Sequence, residues 1–458
     1  MRRQVTRREF LAGAAALAAT PALGALPASG EVEIAIVGAG AAGISAARRI
    51  AAAGRTYALL EAADRIGGRV KSGPGKFGVI HDQGAHRLYG GGRNPLVALG
   101  RAERLRLFDP PAGRRLYVGG REARDNEYDD FTVALRRASR AIVATGEAGR
   151  DVAAARVMPE LATWQQSISF VLGPLTCTKD LEDVSTVDFA RADDRGEEVA
   201  CRDGLGVVLA AAAKPLKIEL DTPVRNIDTG GRAIVLETAR GNLRARAVIV
   251  TVSTNVLAAR RIEFRQGLPK RISDAIERLS LGTYDRIVFE LAGNPFGFRT
   301  DERVVFWAGN ERTAALVGRA GGSDLAYADI AGRFGRELAA AGEPAMLAFL
   351  SELMAAQFGS EALGKIGRTE VIRWSADPLI LGGFSAAAPG AASSRRVLIE
   401  PVDRLFFAGE AAHETQWGTV GGAWASGERA ANAALRALTA TPATARESAA
   451  KKKKKKRK

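Results

Sequence analysis

Cysteine and histidine are the residues this chain has least of: two cysteines and three histidines stand among 458 residues. So few cysteines exclude a disulfide-stapled scaffold; Cys177 and Cys201 form one bridge or none, and sequence alone does not decide which. His81, His86 and His413 are scattered, without the spacing of a zinc or iron site. A basic body is also missing. The formal charge is +15, but eight positive charges lie in 451–458 and a net three in the first ten residues, leaving +4 for everything between. The high pI therefore belongs to the two ends, which excludes a specific nucleic-acid surface as its source. The alanine-rich stretch ending at Leu26 is too short and too weakly apolar to span a bilayer.

What is present begins with Glu31 to Glu61. Val32 to Val37 is a β-branched apolar run suited to a buried parallel strand, and it leads into Gly38, Gly40 and Gly43 with G-x-G-x-x-G spacing. Ala42 to Ala53 reads as a helix stopped by Gly54, and Thr56 to Leu60 as a second strand ending in Glu61. Gly38 permits the turn, Gly40 the approach of a pyrophosphate and Gly43 close helix–strand packing, while the helix N-terminus offers amide donors. Glu61 is placed to accept from ribose hydroxyls and disfavours a 2′-phosphate, so the unit is expected to bind FAD or NAD. A chain of this length divides into two or three domains.

The ends carry addresses rather than core. Arg2 and Arg3, then Thr6-Arg7-Arg8-Glu9-Phe10-Leu11 and a mildly apolar run, read as an export signal over residues 1–28, or else as an alanine-rich amphipathic helix or uncleaved anchor. The arginine pair followed by Phe-Leu resembles the twin-arginine signal, which implies that export machinery as a partner and a periplasmic or extracellular destination. Residues 439–458 end in eight cations that repel one another; they are expected as a disordered tail, either simply solvated or weakly drawn to anionic surfaces.

Beyond Glu61 comes Ala62-Ala63-Asp64-Arg65-Ile66-Gly67-Gly68-Arg69-Val70, where paired glycines and flanking arginines suit a second phosphate contact. Together with the first triplet this stretch is similar to the second flavin motif of the FAD-dependent amine oxidase superfamily, which includes monoamine, polyamine and L-amino-acid oxidases. Leu405 to Glu410, then Trp417-Gly418-Thr419-Val420-Gly421-Gly422-Ala423, resemble that family's C-terminal flavin motif. Read by itself, the second stretch opens a helix whose N-terminus faces negative charge gained on reduction of a flavin.

The resemblance implies an α/β fold: a Rossmann-type (GR2-like) FAD-binding domain from residues 31–92, 200–262 and 396–438, interleaved with a mixed-sheet α+β substrate domain from 93–199 and 263–395. It implies noncovalent FAD, since no cysteine lies near residues 381–413, held by Gly38, Gly40, Ala42, Gly43, Glu61, Arg65, Gly68, Arg69, Gly84, Ala85, His86, Val224, Gly409, Glu410, Gly422 and Ala423. Glu410 is expected to bind ribityl hydroxyls and Val224 to meet the adenine through its backbone. The implied reaction is oxidation of an amine or L-amino acid to an imine, with oxygen or another acceptor taking the electrons.

The implied catalytic residues are Arg87, Arg286, Phe384, Trp417 and Thr419. Arg87 stands where L-amino-acid oxidases anchor the substrate carboxylate, or is an ordinary ion-pair residue. Arg286 stands where most amine oxidases place a lysine that holds a water near flavin N5, or is a surface strand residue. That departure keeps a flavin dehydrogenase or desaturase of the phytoene desaturase and protoporphyrinogen oxidase group open, as well as a non-catalytic FAD protein. Phe384 and Thr419 match the two cage tyrosines of monoamine oxidases, so one aromatic wall survives, with Trp417 or Trp424 as substitutes. The oligomeric state stays open, a dimer included.

Overall fold

The computed structural model describes residues 30–193 and 196–440. The expected export signal lies outside these residues, as does all but the start of the expected tail; helix Val420–Ala440 runs through residues 439 and 440. The fold is a mixed α/β architecture built on two seven-stranded sheets.

The first sheet has the order Glu263–Phe264, Val224–Asp228, Ile234–Thr238, Gly241–Val250, Glu31–Val37 and Tyr57–Leu60. Gly241–Val250 pairs antiparallel with Ile234–Thr238 along its first half and parallel with Leu405–Phe407 at its end. Its other edge lies parallel to Glu31–Val37, Ile34 opposite Ala247 and Val37 opposite Val250. These strands are apolar on both sides because both faces are covered. Helices Ala41–Ala52 and Val420–Ala440 seal one face through Ala42, Ala46, Ile50, Ala430 and Ala434 against Ile34, Ile36 and Ile249. Where they cross, a Cβ on Gly427 would stand 2.0 Å from the Ala42 carbonyl oxygen. Helices Thr254–Ala258, Lys270–Arg278 and Ser394–Ile399 cover the other face.

The second sheet runs Ile366–Ile372, Tyr284–Leu291, Leu325–Ala331, Ala315–Gly318, Glu302–Phe306, Arg115–Val118 and Arg121–Glu122. Helices Gly332–Ala341 and Glu343–Phe358 bury one of its faces with Phe334, Leu338, Phe349 and Met354 against Ile287, Phe289 and Leu316. Register fixes what the opposite face carries. Arg286 lies opposite Asp329 and Tyr284 opposite Ala331, and Asp329 lies opposite Ala315.

Helix Gln165–Leu172 follows a single 3-10 turn at Ala162–Trp164. Strand Val224–Asp228 starts just after Pro223, which has no N–H to give a ladder. Cys177 and Cys201 are both buried and not bridged, which removes the disulfide alternative. Among the described residues no helix is long and apolar enough to cross a membrane, and no group of three or more His, Cys, Asp or Glu is arranged to hold a metal.

Candidate active site

The glycine triplet folds as its chemistry demands. Gly38 adopts φ +104°, a conformation open to glycine, and a Cβ on Gly43 would stand 1.8 Å from the Gly38 carbonyl oxygen. Gly40 is different: a Cβ there meets no atom within 4 Å. Helix Ala41–Ala52 starts at Gly40 with neither a side-chain cap nor an acid in its first turn, so its leading amides face that open space. The second motif closes on the first, with Gly67 N–H donating to the Ala39 carbonyl at 2.9 Å and the Gly68 Cβ position 3.6 Å from the Gly40 Cα.

Glu61 holds the end of this groove. Its carboxylate accepts from Ala39 N–H at 2.7 Å and Ala63 N–H at 2.9 Å, which fixes both oxygens while leaving lone pairs for hydroxyl donors. Burial outweighs these amides and pushes its pKa up. Arg65 is half-buried and donates to the Ile66 and Gly68 carbonyls, which ties down the second motif.

Accessible surface traces the rest of the cavity. Gly38, Gly40, Glu61, Arg65, Gly68, Arg69, Gly84, Ala85, His86, Gly409 and Ala423 keep accessible surface. A dinucleotide with a flavin ring fits this lining, having open glycine backbone and uncapped amides for phosphates and a fixed carboxylate for ribose. Ala42, Gly43, Val224 and Gly422 are sealed and act by packing; a Cβ on Gly422 would lie 2.0 Å from the Gln416 carbonyl oxygen.

Five expected roles are corrected. Glu410 is fully committed to protein: it accepts from Arg69 at 2.9 Å, from Ser385 N–H and Oγ–H, and from Gly418 N–H. Its two oxygens have no capacity left for ribityl hydroxyls. Burial works against its charge, but Arg69 and Arg395 keep its pKa below the usual value. Trp417 is no cavity wall, being 1% exposed in the core, with Arg395 4.8 Å over its ring. Thr419 caps helix Val420–Ala440, its Oγ1 donating to Gln416 O at 2.7 Å and accepting from Gly422 N–H at 2.9 Å. Arg87 is buried against Glu198 and donates to the Asp301 carbonyl at 2.8 Å, so it is not exposed to anchor a substrate carboxylate.

Arg286 is the fifth. Its Nε and Nη2 form a bidentate pair with Asp329 at 2.6 and 3.0 Å; Nη1 donates to Asp82 O at 3.1 Å and Gly84 O at 3.2 Å; Nη2 also reaches His86 Nδ1 at 3.2 Å. All five N–H donors are thus spent, and the guanidinium lies 4.0 Å over the Tyr327 ring. No donor remains to hold a water. Arg286 is instead the clamp that carries the Asp82–His86 turn. Burial and then the Arg286 charge hold His86 well below the usual imidazole pKa, so it stays neutral.

Tyr284 and Asp329 were not evident in the sequence. Tyr284 is half-buried in a strand whose neighbours are sealed, donates to Asp329 Oδ2 at 2.9 Å, and lies 6.2 Å from Phe384 at an interplanar angle of 35°. Burial and the Asp329 charge keep its phenol protonated. Phe384 is backed by Gly418, where a Cβ would stand 2.6 Å from its ring. The sheet register could only come from the fold; the alternation of Tyr284 with Arg286 was the available signal.

A family model described as flavin containing amine oxidoreductase matches residues 41–198 and 186–435. The chain belongs to that family. Flavin is the cofactor this membership implies, FAD being the family's standard form. The chain is 26% identical to lysine-specific histone demethylase 2 of Homo sapiens, over 87% of this chain and 52% of that protein. It is 28% identical to polyamine oxidase 1 of Oryza sativa subsp. japonica, over 88% and 97%. The chain thus spans about half the length of the demethylase. Cyclohexylamine oxidase from Brevibacterium oxydans IH-35A matches with a TM-score of 0.73 at 20% identity, and putrescine oxidase bound to putrescine with 0.74 at 17%, each over 89% of this chain and 99% of that one. This chain shares their fold.

Proposed function

We propose that this chain oxidises the C–N bond of a small amine to an imine with noncovalently bound FAD. The observation that carries the reading is the joining of four segments beside the Tyr284–Phe384 pair: Gly67 N–H donates to Ala39, Ala85 N–H to Arg69, and Arg69 to both Glu410 and Gly383. The carbon bearing nitrogen gives up a hydride and the nitrogen a proton; the imine adds water and separates into a carbonyl compound and an amine or ammonia. Bound flavin supplies the hydride acceptor. The protein's own part is positioning: uncapped amides and Glu61 hold the cofactor, and two rings orient the amine. Tyr284 stays a donor to Asp329, so the amine enters as the free base. Both cysteines are sealed, which supports noncovalent attachment. The reading includes export by the twin-arginine route.

Anaerobic addition of amines to purified holoenzyme tests it. Loss of visible flavin absorbance supports the reading, and an unchanged spectrum with every amine overturns it.

Oxygen, giving hydrogen peroxide, is the acceptor in the oxidase reading. The saturation of Arg286 favours a second reading, a dehydrogenase that passes electrons elsewhere. In that case Arg286→Lys, a compact ammonium with rotatable donors, is expected to speed reoxidation of the reduced enzyme in air about tenfold, read by stopped-flow absorbance. An unchanged rate would count against the second reading.

A further inference from the structure

The face of the second sheet away from Phe334 and Phe349 carries arginines among its buried apolar residues. On that face Arg286 lies opposite Asp329, Asp329 opposite Ala315, and Val317, two residues on, opposite Arg303; Val305, two beyond Arg303, lies opposite Leu116. Arg114 immediately precedes Arg115, the partner of Val304, so it stands beside Arg303 at this end of the sheet.

Glu198 is the acid at this end. It accepts from Arg303 Nη2 at 2.9 and 3.0 Å and from Arg87 Nη1. Two guanidinium groups therefore occupy its carboxylate, and both keep a buried Nε–H without a partner. Arg114 is the third cation. Its charge is felt with those of Arg303 and Glu198, and burial and then Arg303 lower its pKa. Among the described residues it forms no hydrogen bond or ion pair, and it is half-buried with surface still accessible. A partly desolvated guanidinium without an acceptor, beside a second arginine, is costly unless an anion joins it.

We infer that Arg114, with Arg303 behind it, is a subsite for an anionic group, a carboxylate, on the far end of the amine substrate. The inference rests on the amine-oxidising reading and deepens it. Placement sets the substrate class. The Arg303 and Arg114 strands lie three and four intervals from the Arg286 strand, roughly 14 to 19 Å at ~4.8 Å each. Even after the reach of the arginine side chains, an α-carboxylate at the reacting carbon falls short. The substrate class is an amine whose carboxylate is separated from nitrogen by several methylenes. His86 is within reach of both: Arg286 Nη2 lies 3.2 Å from its Nδ1, and the Arg303 charge acts on it.

The test compares ε-aminocaproate with hexylamine, the same chain without its acid, on holoenzyme and its Arg114→Ala and Arg114→Lys variants. Arg114→Ala is expected to raise KM for ε-aminocaproate at least tenfold, leave that for hexylamine unchanged, and leave the flavin spectrum intact. Arg114→Lys restores part of the loss. Equal effects on both amines, or none, overturn the subsite. Hexanoate, which has no amine to oxidise, separates this inference from the reading beneath it. Calorimetric binding of hexanoate to the wild-type holoenzyme and its loss in Arg114→Ala sustain the subsite even when no amine is oxidised; no binding, or equal binding, rejects it.

Discussion

Arg395→Ala is expected to cost the fold about 3–5 kcal/mol, the largest loss from any single side chain in the site's support. Arg395 and Asp188 are each 1% exposed and meet through two hydrogen bonds of 2.6 and 2.8 Å. The remaining guanidinium donors reach Ser385 Oγ at 3.0 Å and Ala411 O at 3.1 Å. Ser385 Oγ donates in turn to Glu410, which accepts from Arg69. One buried chain of charges thus runs from helix Thr186–Ala190 through the C-terminal motif to the second glycine motif. Removing Arg395 strands Asp188 as an unpaired buried carboxylate and releases Ser385 from its orienting donor. Urea unfolding of the loaded protein reads the loss. The double change Arg395→Met with Asp188→Leu, which removes both charges, is expected to recover most of it; a double variant no better than the single one would mean that packing against Trp417, not charge, governs the site.

The second large effect separates two glycines that look alike in sequence. Gly43→Ala places a methyl 1.8 Å from the Gly38 oxygen, so helix Ala41–Ala52 must move off its strand. It is expected to destabilise the apoprotein by about 1–3 kcal/mol through overpacking and to purify without flavin. Gly40→Ala meets no protein atom within 4 Å. The apoprotein should therefore melt as the wild type does, while flavin affinity falls about a hundredfold, since the methyl fills the space that the pyrophosphate needs. Apoprotein melting and the ratio of visible to ultraviolet absorbance check the pair. Full flavin loading in Gly40→Ala would show that the phosphates lie elsewhere.

The contrast shows what could be read from sequence. Glu31 to Glu61 was legible because its information is local: a two-residue period, then a helical one, with glycines at fixed offsets and an acid at the end. Thr419 also carried a local signal, a threonine just ahead of a helix, which its resemblance to a cage position hid. Arg87, Arg286 and Trp417 could not be settled from the sequence for the opposite reason. Their partners are remote in the chain, Glu198 being 111 residues from Arg87 and Asp329 43 from Arg286. An arginine committed to a buried acid and one facing a substrate have the same local sequence. Tyr284 was missed because its closeness to Phe384 depends on sheet register and a crossing loop. Arg114 had no signal of its own; its significance is the lack of a hydrogen-bond or ion-pair partner among the described residues.

The central claim is that the lining around Gly40, Glu61, Gly84 and Phe384 holds FAD for oxidation of an amine. Mixing purified holoenzyme anaerobically with an amine panel that includes hexylamine and ε-aminocaproate, while following visible absorbance and assaying for the carbonyl product, tests it most directly. The account predicts bleaching of the flavin with one equivalent of carbonyl compound formed per flavin. A fully loaded protein whose spectrum no amine changes would contradict it.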